Sequence, residues 1–362
     1  MSTGLIAVAE RVWPVLLFLV FIQVVADLCD DAGLFDVSAH VAARVAGGSR
    51  LTLFLLFTAL ATVSTWVLSI DTTAVLLAPI GLAMAAELGL SALPFAFASI
   101  WLANSASLLL PVSNLTNLLA QDRLGLGGSG FLRETWAPQL AVLVAVLAVL
   151  VMRHRRELRG SYPVPGRLPS YDPVLLWLAA AVVALIGPAI LFGLPAWVVA
   201  LASSVVLVAG FVVRRPQVVH PTRLVRLVPW SVVLFAIALF AVVEVLVEHS
   251  SHLLSSVFGT GSSLADLSRL AGISAGLANV TNNLPAYLVV EPFAHSSSRL
   301  VTTLVAVNVG PMLLAWGSLA NLLWLRACRA RGLQISIVRF GLEGLLVVPL
   351  AVAGGVLAVW LT

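Results

Sequence analysis

Apolar runs near the length of a bilayer crossing recur along the chain, as in residues 140–151, 179–190 and 228–247, and they limit the possible folds more than any other feature. A helix of about 20 such residues spans about 30 Å of hydrocarbon. The 362 residues are 60% hydrophobic and 10% charged, with a mean hydropathy of +1.07, against about 45–50% and about 25% in soluble domains. A soluble globule cannot bury so much apolar surface. A membrane β-barrel would alternate apolar and polar residues, and Val142-Leu-Val-Ala-Val-Leu-Ala-Val-Leu-Val151 does not. The sequence predicts an all-α polytopic membrane protein.

Full crossings are expected at 12–28, 136–152, 173–191, 195–213, 229–247 and 340–361. All 20 basic residues are Arg, and the net charge of +4 comes from clusters whose placement suits membrane orientation and no nucleic-acid partner. Arg153, Arg155, Arg156, Arg159 and Arg167 crowd one loop, Arg214, Arg215, Arg223 and Arg226 a second, and Arg326, Arg329, Arg331 and Arg339 a third. The positive-inside rule makes all three cytoplasmic. Residues 249–263 contain neither Lys nor Arg and should face out, with Gly259-Thr-Gly-Ser-Ser263 an external turn. The apolar run after Arg11 lacks a small-residue cleavage site, so residues 13–28 are expected to stay as the first span. Cys29 and Cys328 lie far apart, without metal-ligand spacing. No GxxxxGK[ST] motif is present, so no ATP site is expected on this chain, and with no His/Cys ligand cluster no metal, cofactor or enzyme activity is expected either.

Four apolar stretches carry polar or helix-breaking residues at mid-membrane depth. Residues 51–88 contain Ser69-Ile-Asp-Thr-Thr73, and 95–120 contain Pro111-Val-Ser-Asn-Leu-Thr-Asn117. Residues 264–290 contain Asn279-Val-Thr-Asn-Asn283, and 300–325 contain Gly310-Pro311 and Trp316-Gly-Ser318. Reading 51–88 and 264–293 as re-entrant hairpins, and 95–121 and 300–326 as broken crossing helices, gives about eight crossings plus two hairpins, with every Arg cluster on one face. The first hairpin then enters from the cytoplasm and the second from outside. The order span, hairpin, broken helix, span occurs in 12–152 and again, inverted, in 229–361, with basic loops and two linking helices in 153–228. Ser113-Asn-Leu-Thr-Asn-Leu-Leu119 aligns with Gly317-Ser-Leu-Ala-Asn-Leu-Leu323, sharing Leu115/Leu319, Asn117/Asn321 and the following Leu pair. An inverted repeat of this kind is a transporter architecture.

Non-helical backbone survives at membrane depth only where it is buried in protein or lines an aqueous cavity. Helix ends there leave carbonyls and amides without partners, and half-helix ends carry about half a charge of either sign. Breaks from two repeats could replace the hydration shell of a small neutral polyol-like solute, or of an anion with coupling ions. The candidate binding groups are Thr72, Thr73, Ser113, Asn114, Thr116, Asn117, Thr281, Asn282, Asn283, Gly317 and Ser318. Asp71, the ionisable residue at a break, is the first candidate for proton coupling, with capping of the second hairpin arm as the plainer reading; the roles are compatible. The Asn and Ser groups could instead cap helix ends or tie helices together. Asp27, Asp30, Asp31, Glu87 and Glu291 read as solvated helix ends, and Glu244 as a snorkelling side chain. Asn104 and Asn308 fit cavity lining or packing.

At these breaks the chain resembles the arsenical-pump membrane proteins, the arsenite permeases of the ion-transporter superfamily that also holds sodium/proton antiporters and citrate and dicarboxylate carriers. The resemblance lies in Ser69-Ile-Asp-Thr-Thr-Ala-Val-Leu-Leu-Ala-Pro79, Ala103-Asn-Ser-Ala-Ser-Leu-Leu-Leu-Pro-Val-Ser-Asn-Leu-Thr-Asn-Leu-Leu119, Asn279-Val-Thr-Asn-Asn-Leu-Pro-Ala-Tyr287 and Gly310-Pro-Met-Leu-Leu-Ala-Trp-Gly-Ser-Leu-Ala-Asn-Leu-Leu-Trp324. It implies an inner-membrane carrier that expels arsenite or antimonite in exchange for protons by alternating access, alone or with a soluble ATPase subunit. A sodium-coupled carboxylate carrier or sodium/proton antiporter on the same scaffold is the alternative. Family members usually have Asn-Asp-Gly at the first tip where this chain has Ile70-Asp71-Thr72. They also usually begin with further helices; either this is a short form, expected to depend more on a homodimer partner, or the start is missing.

Overall fold

The computed structural model describes residues 2–166, 170–219, 234, 238, 254 and 256–362, with side chains described from residue 13 onward. The expected crossing at 229–247, apart from residues 234 and 238, lies outside the described residues, as do Glu244, Arg167, Arg223 and Arg226. The described elements are helical. They are α1 (Ser2–Asp31), α2 (Leu34–Val45), α3 (Arg50–Leu68), α4 (Ile70–Glu87), α5 (Leu93–Ser105), α6 (Leu115–Leu124) and α7 (Gly128–Arg153). After them come α8 (Pro173–Leu191), α9 (Ala196–Arg214), α10 (Leu264–Thr281), α11 (Asn283–Val290), α12 (Ser297–Val309), α13 (Leu319–Ala330) and α14 (Ile337–Leu361). By length and composition, seven of the described helical segments could cross a membrane: α1 from Trp13, α3, α4, α7, α8, α9 and α14. Large apolar side chains such as Leu140, Val144, Trp177, Leu185, Leu342 and Leu350 are exposed on α7, α8 and α14, as a hydrocarbon solvent allows. The chain is an all-α polytopic membrane protein.

The first hairpin is antiparallel from tip to base. Near the tip the Thr65 and Thr73 hydroxyls lie 3.0 Å apart and Thr73 Oγ1 donates to Ser64 Oγ at 3.2 Å. Further down, α4 comes so close to α3 that a Cβ on Gly81 would sit 2.7 Å from the Phe57 ring. At the base α2 packs on both arms, and His40 Nε2 meets Glu87 Oε2 at 3.2 Å. Both ends therefore return to one side of the molecule. Within α4, residues Thr73–Leu77 form a π turn just before Pro79; proline offers no N–H to the ladder, and the widened turn accommodates the gap.

The second hairpin, α10 with the short α11, closes through Phe258, Leu270, Val290 and Phe293. Its base is held by Arg299, which is buried and donates to the carbonyls of Phe258 (3.0 Å), Gly259 (2.7 Å) and Gly261 (2.6 Å). Ser263 and Asp266 start α10 with a capping box. Contrary to expectation, Glu291 is not a solvated helix end. The arm stops after eight residues in a 3₁₀ turn at Glu291–Phe293, which buries the carboxylate beside Tyr287 Oη at 3.1 Å.

Two helices are interrupted. Backbone runs from α5 through 3₁₀ turns at Ala106–Leu108 and Pro111–Ser113 to α6, and from α12 through Gly310–Met312 to α13. Gln139 of α7 mends the first break, accepting from Leu108 N at 2.8 Å and donating to Ser105 O at 3.0 Å. Asn279 of α10 mends the second, donating to Gly310 O at 2.8 Å and accepting from Leu314 N at 3.0 Å. The long helices α7 and α14 pack on each other and are clamped at one end by Arg153, which holds Glu343 with two hydrogen bonds of 2.9 and 2.8 Å. Cys29 and Cys328 are free and buried.

Candidate functional site

Two strained residues define the site. Among the described residues, Ser69 (φ 108, ψ 166) and Asn282 (φ 93, ψ 159) are the non-glycine positions with positive φ. Each stands at a hairpin tip, and such a conformation costs of order 1–3 kcal/mol. Each tip is tied to a broken helix: Ser113 Oγ donates to Trp66 O at 3.0 Å, and Asn283 N donates to Gly317 O at 3.1 Å.

The breaks are built by one repeated device. Asn117 uses its side-chain amide to satisfy carbonyls ten and seven residues back, those of Ser107 and Leu110. Asn321 does the same to Pro311 and Leu314. The two devices then interlock. Asn104 of α5 donates to Asn321 Oδ1 at 3.0 Å, and Asn308 of α12 donates to Asn117 Oδ1 at 3.4 Å. Asn308 Oδ1 also accepts from Asn114 at 2.7 Å and Thr116 at 3.3 Å. In both breaks the residue before the new helix is extended, Asn114 at φ −156 and Ser318 at φ −144.

These turns bring four helix starts to one cavity. Its wall contains Ser69, Ile70 and Asp71 at the start of α4, Asn282, Asn283 and Leu284 at α11, Ser113, Asn114 and Leu115 at α6, and Ser318 and Leu319 at α13; Val112 and the α1 side chains Phe18, Leu19 and Ile22 complete it. None of the four starts has a hydrogen bond from its cap side chain; at α11 the amides of Asn283 and Leu284 are taken by Gly317 O and Asn283 Oδ1, which leaves the first amides of α4, α6 and α13 for a bound molecule. About 60 Å³ is open to the centres of water-sized molecules. None of the lining residues is cationic, and Asp71 is the ionisable one among them. Ser69, not Asp71, holds the cap position of α4, so the expected capping role for Asp71 is not seen.

Of the residues expected at the site, Asp71, Ser113, Asn114, Asn282, Asn283 and Ser318 meet in the cavity. The others do not line it. Thr72 Oγ1 donates to Leu68 O at 3.1 Å, and Thr73 is engaged with Ser64, Thr65 and Ser69, because both face back into the hairpin. Thr116 and Asn117 lie in the first turn of α6 and serve the interlock. Thr281 is exposed and donates to Leu277 O at 3.0 Å. Gly317 lies behind Ser318, where a Cβ would come 2.9 Å from Pro311 Cα. Asn104 and Asn308 do not line the cavity and act in packing. The α1 wall and the supports Gln139 and Asn279 were not foreseen. The equal spacing of Asn104 from Asn117 and of Asn308 from Asn321 was the available signal for the interlock.

Broken helices and hairpin tips around a small polar cavity, within a polytopic helical protein, define a membrane transporter and not an enzyme. Residues 1–320 match the family described as citrate transporter, and the chain belongs to that family. It is 28% identical over 351 residues to the arsenical pump membrane protein of Yersinia enterocolitica, covering 90% of this chain and 81% of that protein. It is 27% identical over 349 residues to the arsenical pump membrane protein of Escherichia coli K12, with the same coverage. The resemblance read from the breaks is thus borne out along most of the chain. Among solved structures, the YdaH transporter of Alcanivorax borkumensis shares the fold, with a TM-score of 0.66 at 13% identity, covering 99% of this chain and 87% of that one. The chain is a multi-pass secondary transporter of the membrane, acting on a small solute.

Proposed function

We propose that this transporter exports arsenite or antimonite in exchange for protons, by alternating access between two inverted repeats. The supporting observation is the cavity at which four uncapped helix starts converge. Neutral As(OH)₃ offers oxygens to those amides and hydroxyl protons to Asn and Ser oxygens. At roughly 10–15 Å³ per water, 60 Å³ accommodates a solute of that size and is small for a tricarboxylate, which would also seek cationic partners. Asp71 is the coupling group: it takes a proton from the outer side and gives it up inside as the solute leaves. The two hairpin tips, the two Asn devices and the pairing of α7 with α14 support the repeat, whose halves would rock about the interlocked asparagines. A carrier driven this way needs no ATP. A soluble ATPase subunit and a second protomer would be additions to it.

Everted vesicles test the reading. Trivalent arsenic should accumulate under a proton gradient, and Asp71→Asn should reduce that accumulation to background while the protein still inserts. A response to sodium plus citrate, with none to arsenite, would overturn the substrate assignment. Full proton-driven flux in Asp71→Asn would remove Asp71 from the coupling.

A further inference from the structure

Phe18 lines the central cavity and also a second, wider hollow of about 330 Å³, and of the residues lining either space it alone lines both. The second hollow lies between α1, α6 and the turn joining α8 to α9, walled by Pro14, Val15, Leu118 and Trp197, with Gln121 and Asp122 as its polar groups. The positive-inside reading of the Arg clusters puts it at the outer face. The α7 helix runs from Gly128 beside this hollow to the cytoplasmic Arg153, and α9 runs from Ala196 in its wall to the cytoplasmic Arg214. Gly128 also packs against Ile190 at the end of α8, and Trp13 meets Trp197 edge to face at 5.3 Å, an aromatic pair at interface depth.

The two spaces are joined along two helix stripes. On α6, Leu115 faces the inner cavity while Leu118 and Asp122 face the outer hollow, the spacing of one helix face. On α1, Ile22 and Leu19 face inward and Val15 and Pro14 outward, with the Phe18 ring, only 2% exposed, between them. We infer that the outer hollow is the exit half of the solute's path, that Phe18 is its gate, and that Gln121 and Asp122 form a second station for a small hydroxylated solute. The inference rests on the transport reading above. A solute passing the ring exchanges the helix-start amides for an amide and a carboxylate before reaching water.

Thiol labelling tests the gate without using any transported solute. Leu115→Cys and Gln121→Cys are made separately and exposed to a membrane-impermeant sulfonated maleimide, from outside in intact cells and from the cytoplasmic side in everted vesicles. The two native thiols are buried, and the unsubstituted chain sets the background. With Phe18 in place, Gln121→Cys should react from outside and Leu115→Cys slowly. An open state populated at about a tenth or less means that Phe18→Ala, or the milder Phe18→Leu, should speed the outside labelling of Leu115→Cys about tenfold or more. Cytoplasmic labelling should not change. Leu115→Cys labelling that is indifferent to both Phe18 variants, or Gln121→Cys labelling only from the cytoplasmic side, would overturn the gate. Arsenite uptake plays no part in this readout, so a failed gate and a failed substrate assignment are told apart.

Discussion

Asn117 and Asn321 each hold two backbone carbonyls that the break has stripped of helical partners. A buried acceptor left unsatisfied costs about 1–3 kcal/mol, so Asn321→Ala should lower the Tm in detergent by several degrees, and Asn321→Asp, which keeps the shape but loses the donor, should do the same. A Tm equal to that of the parent would show that the carbonyls do not depend on Asn321. The strained tips should respond in the opposite direction. Ser69→Gly removes a Cβ from φ 108, and relief of about 1–3 kcal/mol exceeds the roughly 0.5–1 kcal/mol entropy cost of glycine, so its Tm should rise. A fall would mean that the Ser69 side chain contributes more than its backbone costs. Single residues were legible as polar groups at membrane depth, but their direction was not. Asn114 and Asn117 are both amides in one motif, yet one lines the cavity and the other turns back to close the break. Residue type does not encode which side of a helix start a side chain takes.

At the scale of elements, the hairpins and broken helices were readable because polar side chains interrupt apolar runs, and helix ends placed in hydrocarbon need partners. Their supports were less readable. Gln139 lies in the middle of an apolar crossing and Arg299 just inside a helix start, and each serves carbonyls distant in sequence. Glu291 was misread because the shortness of α11, which tucks the carboxylate inward, depends on the packing of Phe258 and Phe293. The linking helices α8 and α9 are joined at one end by a capped contact: Arg214 Nε donates to Asp172 at 2.9 Å, and Asp172 also caps α8 through the amides of Val174 and Leu175. The Arg214 bond holds the Asp172 carboxyl below its usual range. A carboxylate lowered in this way stabilises the fold fully above its unfolded value of about 4 and loses that contribution as pH falls through the lowered value. Asp172→Ala should therefore reduce the Tm at neutral pH, with the difference shrinking toward acid. A difference that stays constant with pH would show that the ion pair contributes nothing.

At the scale of the whole molecule, the described elements after α9 rebuild the pattern of the first part: a hairpin with a positive-φ tip, a helix broken by an Asn-mended turn, and a long final helix. Peripheral α8 and α9 are buried over 33% and 28% of their spans, against 50% or more for α1, α3 and α4, so the hairpin and its neighbours form the protected interior. This arrangement places helix starts from both parts of the chain around one cavity, where a bound solute would use them jointly. The most direct measurement is calorimetric titration of the purified protein with arsenite, comparing the parent with Ser318→Ala and Asn282→Gly, one from a broken helix and one from a hairpin tip. Loss of one hydrogen bond, about 1.4 kcal/mol, corresponds to about tenfold in affinity. Each variant should bind about tenfold more weakly while remaining folded. Arsenite binding unchanged in both variants, or absent from the parent, would contradict this joint use of the helix starts.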